Sequence, residues 1–465
     1  MSAVLSQAPA PPAAATDLGS RSAANLRSWI RQALAELDFR KRQVSFLLGT
    51  DEFINHERRA AMTPRHIAWL RRDLEALDLS PRIFVVRGTG ERAANDEGEA
   101  FGDEQYAAEG AEIVSPREAA SLGPLDVVHA LKEPTAYEGD LPGPMLRIGA
   151  LHLASKPAGL CRMLERRNFA AILDGGTIGN CSYRLHGGDR TPIVASMSRF
   201  AGAVSGHKVV EGLARGGLDA GTVIVVGAGI AGMSAIEQVR PKAARLIVIE
   251  PYEPTRVRVE GELRALGFDD FEILASLTDE AFDDAVGIVF AHRSGARAAE
   301  KVCRYEQIRR MRRGAVIADI AIDQGGSILH DGYSEDDDAP ASREKYRALL
   351  TPDYVYYAET NMPREAPREA SEVHGDCSLP YVTALLALVA HHGSPAAAAR
   401  RILASDIRIF TPADPPPELG PIDCIAQDLR NGAQLAVVEG RLLVTDPDIE
   451  KNAALAEWIH HCARG

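Results

Sequence analysis

The stretch "VIVVGAGIAGMSAIEQV" (Val223–Val239) constrains this chain more than any other. Four β-branched residues lead into Gly227, Gly229 and Gly232, spaced as G-x-G-x-x-G, and a helical pattern follows. In such a strand–turn–helix the first glycine permits the tight turn and the second lets backbone approach a diphosphate. The third lets the helix pack on the strand. Unpaired N–H groups and the dipole at the helix N-terminus then favour the negative charge of a dinucleotide. The next strand, "RLIVIE", ends at Glu250, eighteen residues beyond Gly232. A carboxylate there accepts hydrogen bonds from a ribose 2′-OH and repels a 2′-phosphate, so the expected cofactor is NAD, with NADP less favoured. Arg245 and Arg256 lie near enough in sequence to weaken that preference.

Around this motif, strand and helix patterns alternate. Upstream, "VSFLLG" (44–49), "RIFVVRG" (82–88) and "DVVHALK" (126–132) read as strands and "TPRHIAWLRRDLEAL" (63–77) as a helix. A long helix is expected from near Ser196 to the strand at Thr222; "VIVVG", "RLIVIE", "GIVFA" and "AVIADIAID" then alternate with helices. This rhythm argues for βαβ units. The expected fold is α/β, with two doubly wound, Rossmann-like parallel-sheet domains and a crevice between them.

The expected boundaries are an N-terminal tail and helix over 1–40, a first substrate-domain segment over 41–193, and an NAD-binding domain over 194–365. A second substrate-domain segment with C-terminal helices fills 366–465. Leu26, Trp29, Ile30, Ala33 and Leu34 share one face of the N-terminal helix. The Ala/Pro-rich start before it reads as a disordered tail, not a signal peptide. The last hundred residues offer a helix at about 380–391, a Pro-rich link and a final helix. The acidic stretch at 332–345 reads as a solvated loop.

Charge and cysteine usage narrow the class. A net charge of −13 argues against nucleic acid or an anionic membrane as partner. The chain has no run of about eighteen apolar residues, so no membrane span is expected. Its six cysteines are scattered with no CxxC pair, so neither a metal site nor a disulfide framework is expected, and a cytoplasmic setting follows.

Three polar positions stand out before the glycine turn. Arg59 lies in "HERRAAMTP", Lys132 follows the apolar run "DVVHAL", and His152 sits in "GALHLAS". Arg and Lys at the carboxyl ends of parallel strands face the region where such sheets bind ligands, and together they suit a carboxylate. A nearby histidine can exchange a proton with a carbonyl or imine. Each also has a plainer reading, as a surface cation or a hydrogen-bonded core histidine. A further puzzle is "ADIAIDQGG" (318–326), an apolar run ending in the acid Asp323 and two glycines.

These residues resemble the alanine dehydrogenase/pyridine nucleotide transhydrogenase N-terminal family, and within it the alanine dehydrogenase branch. The matching pieces are "ERRAAMTP", "LKEP", "LHLAS", "TPIVASMSRFAG", "VIVVGAGIAG", "MRRGAVIADIAIDQGG", "ETNMPREAPREAS" and "SLPYV", in the family's order over roughly residues 44–385. The resemblance implies that Arg59 and Lys132 bind a substrate carboxylate and that His152 is the acid/base. It implies that Asp323 orients or deprotonates water or ammonia, that Asn361 lies by the nicotinamide, and that Ser198 lies by the cofactor phosphates. It also implies reversible oxidative deamination of an L-2-amino acid to a 2-oxo acid and ammonia, and a homo-oligomer. Two alternatives are a saccharopine-dehydrogenase-like joining of a 2-oxo acid to an amino acid, and a non-catalytic NAD sensor.

The chain departs from the family pattern at several points. Ala150 stands where alanine dehydrogenases usually carry an aromatic walling off a small pocket. Arg199 follows the "MS" serine in place of an acid, "NMPG" has become "NMPR" at Arg364, and Asp376 and Cys377 stand in "GDCSLPYV". A larger pocket and new arginines imply a substrate larger than alanine, with a polar or acidic side chain.

Overall fold

The computed structural model describes residues 13–50, 57–95, 97–149, 158–179, 181, 191–292, 300–330, 339–359, 361–404, 420–446, 449 and 453–463. Two compact units emerge, one from Met197–Glu365 and the other from Thr16–Ser196 joined by Ala366–Gly465. Both are doubly wound α/β folds, as the alternation predicts.

In the two-segment unit the chain lays down β1 (Gln43–Leu48), β2 (Ser80–Val86), β3 (Glu112–Val114), β4 (Val127–His129), β5 (Met145–Gly149) and β6 (Phe169–Asp174). The continuous unit then contributes β7 (Gly221–Val226), β8 (Ala243–Ile249), β9 (Phe271–Leu274), β10 (Gly287–Phe290), β11 (Cys303–Arg304), β12 (Val316–Asp319), β13 (Ile328–Leu329) and β14 (Val355–Tyr357). The returning chain adds β15 (Ala433–Val438) and β16 (Arg441–Val444).

The first sheet runs β16-β15-β6-β5-β4-β1-β2-β3 and the second β14-β12-β10-β7-β8-β9. Read from its first strand, each has the order 3-2-1-4-5-6 of dinucleotide-binding folds, all parallel within those six strands. The strand order reverses beside β1 and beside β7. At such a switch point helices leave toward opposite faces and open a crevice at the strands' carboxyl ends.

Burial on both faces explains the near-continuous apolar strands. In β1, Val44, Phe46 and Leu48 enter one core cluster and Leu47 the other. In β7, Val223 and Val225 pack on one face, Ile224 and Val226 on the other. The helix Ala13–Leu34 docks on the first sheet's core through Leu26, Ile30, Ala33 and Leu34, with Trp29 alongside. Arg27 seals the contact by donating to the buried Asp73 carboxylate at 2.6 and 2.9 Å. That helix begins at Ala13, inside the stretch expected to be a tail: past Pro12 only alanines and threonine precede Asp17, and alanine is the best helix former.

Four further expectations need correction. "AVIADIAID" is not one strand: β12 ends at Asp319, and Ile320–Gln324 form a 3-10 helix. The long helix starts at Pro192, earlier than Ser196, with proline at a position where its missing N–H costs nothing. The helix expected at 380–391 spans Pro367–His392 and carries Pro380 within it. Alone among the described helices it is long and apolar enough to cross a membrane, yet 94% of that window is buried in the unit's own core. Finally, four of the six cysteines pair, Cys161 with Cys462 and Cys181 with Cys424, with Cα separations of 5.1 and 5.6 Å. Partners 301 and 243 residues apart leave no mark on local spacing, and the cytoplasmic expectation loses its cysteine argument.

Candidate active site

The glycine turn is built as a cradle. Gly227 takes φ +92°, a conformation that suits glycine. A Cβ on Gly232 would meet the Gly227 carbonyl oxygen at 1.8 Å, which fixes glycine where helix meets strand. At Gly229 nothing lies within 4 Å of a Cβ position, and this residue N-caps the helix Ile230–Val239 with no side-chain hydrogen bond. The first N–H groups of such a helix have no intrahelical partner, and the dipole there favours an anion. Across the switch point, His292 follows β10, its ring held by Nε2 against the Glu300 carbonyl at 3.1 Å, while its Nδ1 is buried without a partner. An open turn ringed by amides, with an orphaned nitrogen beside it, fits a dinucleotide.

Glu250 follows β8, as expected. Its carboxylate accepts from Ala228 N at 3.1 Å and Tyr252 N at 3.0 Å, which ties the acid to the glycine turn. Arg245 sits near the other end of the strand and pairs with Glu272 at 2.7 Å. Arg256 donates to the Glu250 and Pro251 carbonyls, and Arg258, which the sequence reading passed over, donates to the Ala228 carbonyl at 3.1 Å. Ser198 lies on the helix Pro192–Arg215, one turn before Gly202, whose Cβ position falls 2.0 Å from the Ala231 carbonyl. That contact brings the Ser198 end of the helix against the start of the helix after the glycine turn.

Asp323 and Asn361 follow β12 and β14, which run parallel to β7 on the far side of β10. The backbone of Asp323 belongs to the 3-10 helix, one turn past the strand end where the sequence reading put it; its side chain lies outside the described residues. The acid at the strand end is Asp319, fully buried. It caps the 3-10 helix through Ala321 N at 3.0 Å and reaches Ser327 N and Oγ at 3.0 and 2.9 Å. Burial pushes its pKa up, against the pull of the Ser327 bonds. Asn361 adopts φ +61°, a left-handed conformation asparagine tolerates better than most residues, just before the short helix Met362–Glu365. Arg364 is committed to Glu359 at 3.2 Å, which Arg343 also meets at 2.8 Å.

In the two-segment unit, Arg59 and Lys132 follow β1 and β4, the strands flanking the switch point, and both are buried. Arg59 is gripped by Glu57: Nε to Oε1 at 2.8 Å and Nη2 to Oε2 at 2.8 Å. Burial alone would raise the Glu57 pKa, but Arg59, with help from Lys132, holds it far below the carboxylate range. The extended backbone here is satisfied by side chains: Ser371 Oγ accepts from Ala60 N at 2.9 Å, His374 Nδ1 donates to the Ala61 carbonyl at 2.9 Å, and Tyr106 donates to the Met62 carbonyl at 2.9 Å. Behind Lys132, the buried Arg147 donates to its carbonyl and to Glu138 at 3.1 Å. His152 and Ala150 lie outside the described residues.

Sequence reasoning missed Glu57, Arg147 and a buried imidazole pair. His129 and His374 stack with ring centroids 5.7 Å apart. Burial lowers their pKa values to about 4 and about 3. Only Glu57 had a visible signal, being two residues from Arg59, the period at which side chains of an extended segment share a face. Asp376 is bound to His66 Nε2 and Arg65, both at 2.9 Å, inside the two-segment unit.

Two doubly wound units, one with an open glycine cradle and the other with buried cations at its switch point, define a dinucleotide-binding protein of the two-domain kind. Sequence profiles of the Alanine dehydrogenase/PNT N-terminal and C-terminal domains match residues 50–201 and 198–409. The chain belongs to that family. Alanine dehydrogenase of Mycolicibacterium smegmatis is 28% identical over 354 residues, 72% of this chain and 85% of the relative. That of Bacillus subtilis is 26% identical over 348 residues, 71% and 82% of the two chains. Among solved structures, an L-alanine dehydrogenase superposes with a TM-score of 0.60 at 21% identity, covering 90% of this chain and 100% of the other. A transhydrogenase from Sinorhizobium meliloti gives 0.57 at 17% identity, covering 74% and 95%. Membership places the chain among pyridine-nucleotide-binding oxidoreductases.

Proposed function

We propose that the chain is an NAD-dependent amino-acid dehydrogenase, converting an L-2-amino acid and water to the 2-oxo acid and ammonium. The observation that carries this reading is the buried pair of cations, Arg59 and Lys132, at a parallel-sheet switch point. Cations at the carboxyl ends of parallel strands face the region where such sheets bind ligands, and a substrate carboxylate suits Arg and Lys together. Glu57 holds the Arg59 guanidinium in one orientation.

A nicotinamide dinucleotide would be held at the turn of Gly227, Gly229 and Gly232 and would supply the acceptor for the hydride that leaves the substrate Cα. Arg59 and Lys132 fix the carboxylate so that Cα–H is presented in one direction. His152 takes the proton from the amine and later exchanges it with the tetrahedral adduct. Asp323 orients the water that adds to the imine. In the reverse direction the same groups hold ammonia and protonate the oxygen that leaves. Glu250 supports NAD over NADP, because a carboxylate following the second strand of such a unit accepts from a ribose 2′-OH and repels a 2′-phosphate. Ala150 supports a side chain larger than alanine's, and Arg364, already engaged by Glu359, is withdrawn as a partner for a second carboxylate. The active form is proposed to be a homo-oligomer.

NADH oxidation with ammonium across a panel of 2-oxo acids, with product masses, tests this. Turnover to a primary amino acid is expected, with a branched or longer oxo acid outrunning pyruvate. A product retaining two carbon skeletons overturns the ammonia assignment. NADH binding without turnover of any oxo acid makes the chain a sensor.

A further inference from the structure

The turn that carries Asp323 is clamped by a lysine from a different part of the chain. Lys301, half-buried and two residues before β11, donates from Nζ to the carbonyls of Gly325 and Gly326 at 2.7 and 2.6 Å. These are the two glycines of "DQGG", with φ of +94° and +78°. Gly325 closes the 3-10 helix, its N–H returning to the carbonyls of Ala321 and Ile322. A helix's last carbonyls carry partial negative charge and lack intrahelical partners, so a cation is favoured there.

Two other side chains complete the clamp. The Tyr346 ring lies where a Gly326 side chain would begin, 2.5 Å from the Cβ position, and its hydroxyl donates to the Ile328 carbonyl at 2.6 Å. The Lys301 ammonium stands 5.9 Å from the centroid of that ring. From the strand side, Asp319 holds both Ala321 and Ser327. Residues 320–327 are thus pinned at the start by an acid, at the end by a cation, and from beneath by an aromatic. Two consecutive left-handed glycines have wide backbone freedom when released, so this much restraint sets the position of whatever the turn presents.

We infer that Lys301 is a positioning residue: by clamping the Gly325 and Gly326 carbonyls it fixes the turn that presents Asp323 to the reacting amine or water. This rests on the proposed role of Asp323. A displacement of about 1 Å in a group that must meet the reacting atom costs about 100-fold in rate.

The test compares K301M, K301R and D323N with the unaltered full-length protein. Expected for K301M is a fall in kcat of about 100-fold, with KM for the oxo acid, NADH affinity by fluorescence titration and the thermal midpoint all close to the parent's. Amide exchange should rise at residues 321–327 alone. K301R, which can still donate to both carbonyls, should restore most of kcat. If K301M keeps full kcat while D323N is inactive, the positioning role is overturned and the reading of Asp323 stands. If D323N itself is fully active, the reading of Asp323 fails. Loss of NADH affinity and thermal stability in K301M together with kcat also overturns the inference, since the clamp then serves the fold as a whole.

Discussion

Glu57 and Arg59 form a two-point ion pair within three residues of chain, both side chains out of water. Removing one partner from a buried pair leaves the other charge uncompensated, at a cost of about 3–5 kcal/mol. E57A should lower the urea midpoint accordingly. E57Q, which keeps the shape, should lose less stability but raise KM for the amino acid, because Arg59 is no longer held in one orientation. An unchanged midpoint and KM in E57A would sink the idea that this carboxylate orients the cation.

Stability should fall on the acid side because of His129 and His374. Their folded pKa values, about 4 and about 3, lie below the ordinary 6.5. Between those limits the unfolded chain binds protons that the folded chain refuses, so stability is complete above pH 6.5 and declines as pH falls toward 4. Each imidazole contributes about 1.4 kcal/mol per pH unit in that window. Urea unfolding of the parent and of H374N from pH 7 to pH 4.5 checks this: the difference in slope is the His374 share. Parallel curves would show that the imidazole is charged in the fold.

The two disulfides predict a thiol count. Denatured but unreduced protein should give two free thiols by Ellman titration, Cys303 and Cys377, in place of six. Reduction should lower the thermal midpoint, since closing loops of 301 and 243 residues restricts the unfolded chain by an amount worth up to about 5 kcal/mol for one such loop. Six titrating thiols in unreduced protein would show that the pairs do not form.

How much of this could be read in advance depended on how far each feature reaches along the chain. Period and punctuation are local, and so β1, β2, β7 and the glycine turn stood out from the pattern of Val, Ile and Gly alone. The break after Asp319 did not, because "IAI" is as apolar and β-branched as the strand before it. What ends the strand is the Asp319 side chain, which captures Ala321 N and so offers the backbone an alternative to the ladder. Pro380 hid the first half of the helix Pro367–His392, since a proline normally marks a boundary; here burial on nearly every side holds the helix through it. The hairpin β15–β16 was overlooked although Glu439 and Gly440, at φ +50° and +75°, form the two-residue turn between its strands. Glutamate is an unusual first residue for such a turn.

In the candidate site the same limit applies. Arg59 and Lys132 could be nominated because strand ends are visible in sequence. Arg147, which backs the Lys132 carbonyl, could not, since fifteen residues and a change of strand separate them. Nor could His374, which reaches its partner Ala61 across 313 residues.

The two-segment unit has a consequence for synthesis. The helix Pro367–His392 fills its core, and β15 and β16 complete its sheet, yet all three follow the whole Met197–Glu365 unit along the chain. At about 5–20 residues per second, translating the intervening stretch takes roughly 10–30 s. Throughout that interval β1 to β6 have emerged with part of their apolar core uncovered, only the helices Ala13–Leu34 and Pro64–Glu75 being available to cover that face. The continuous unit can already fold behind them. The last-made segment is therefore the one that ends the exposure, and a nascent chain halted before residue 367 should be the form that chaperones hold.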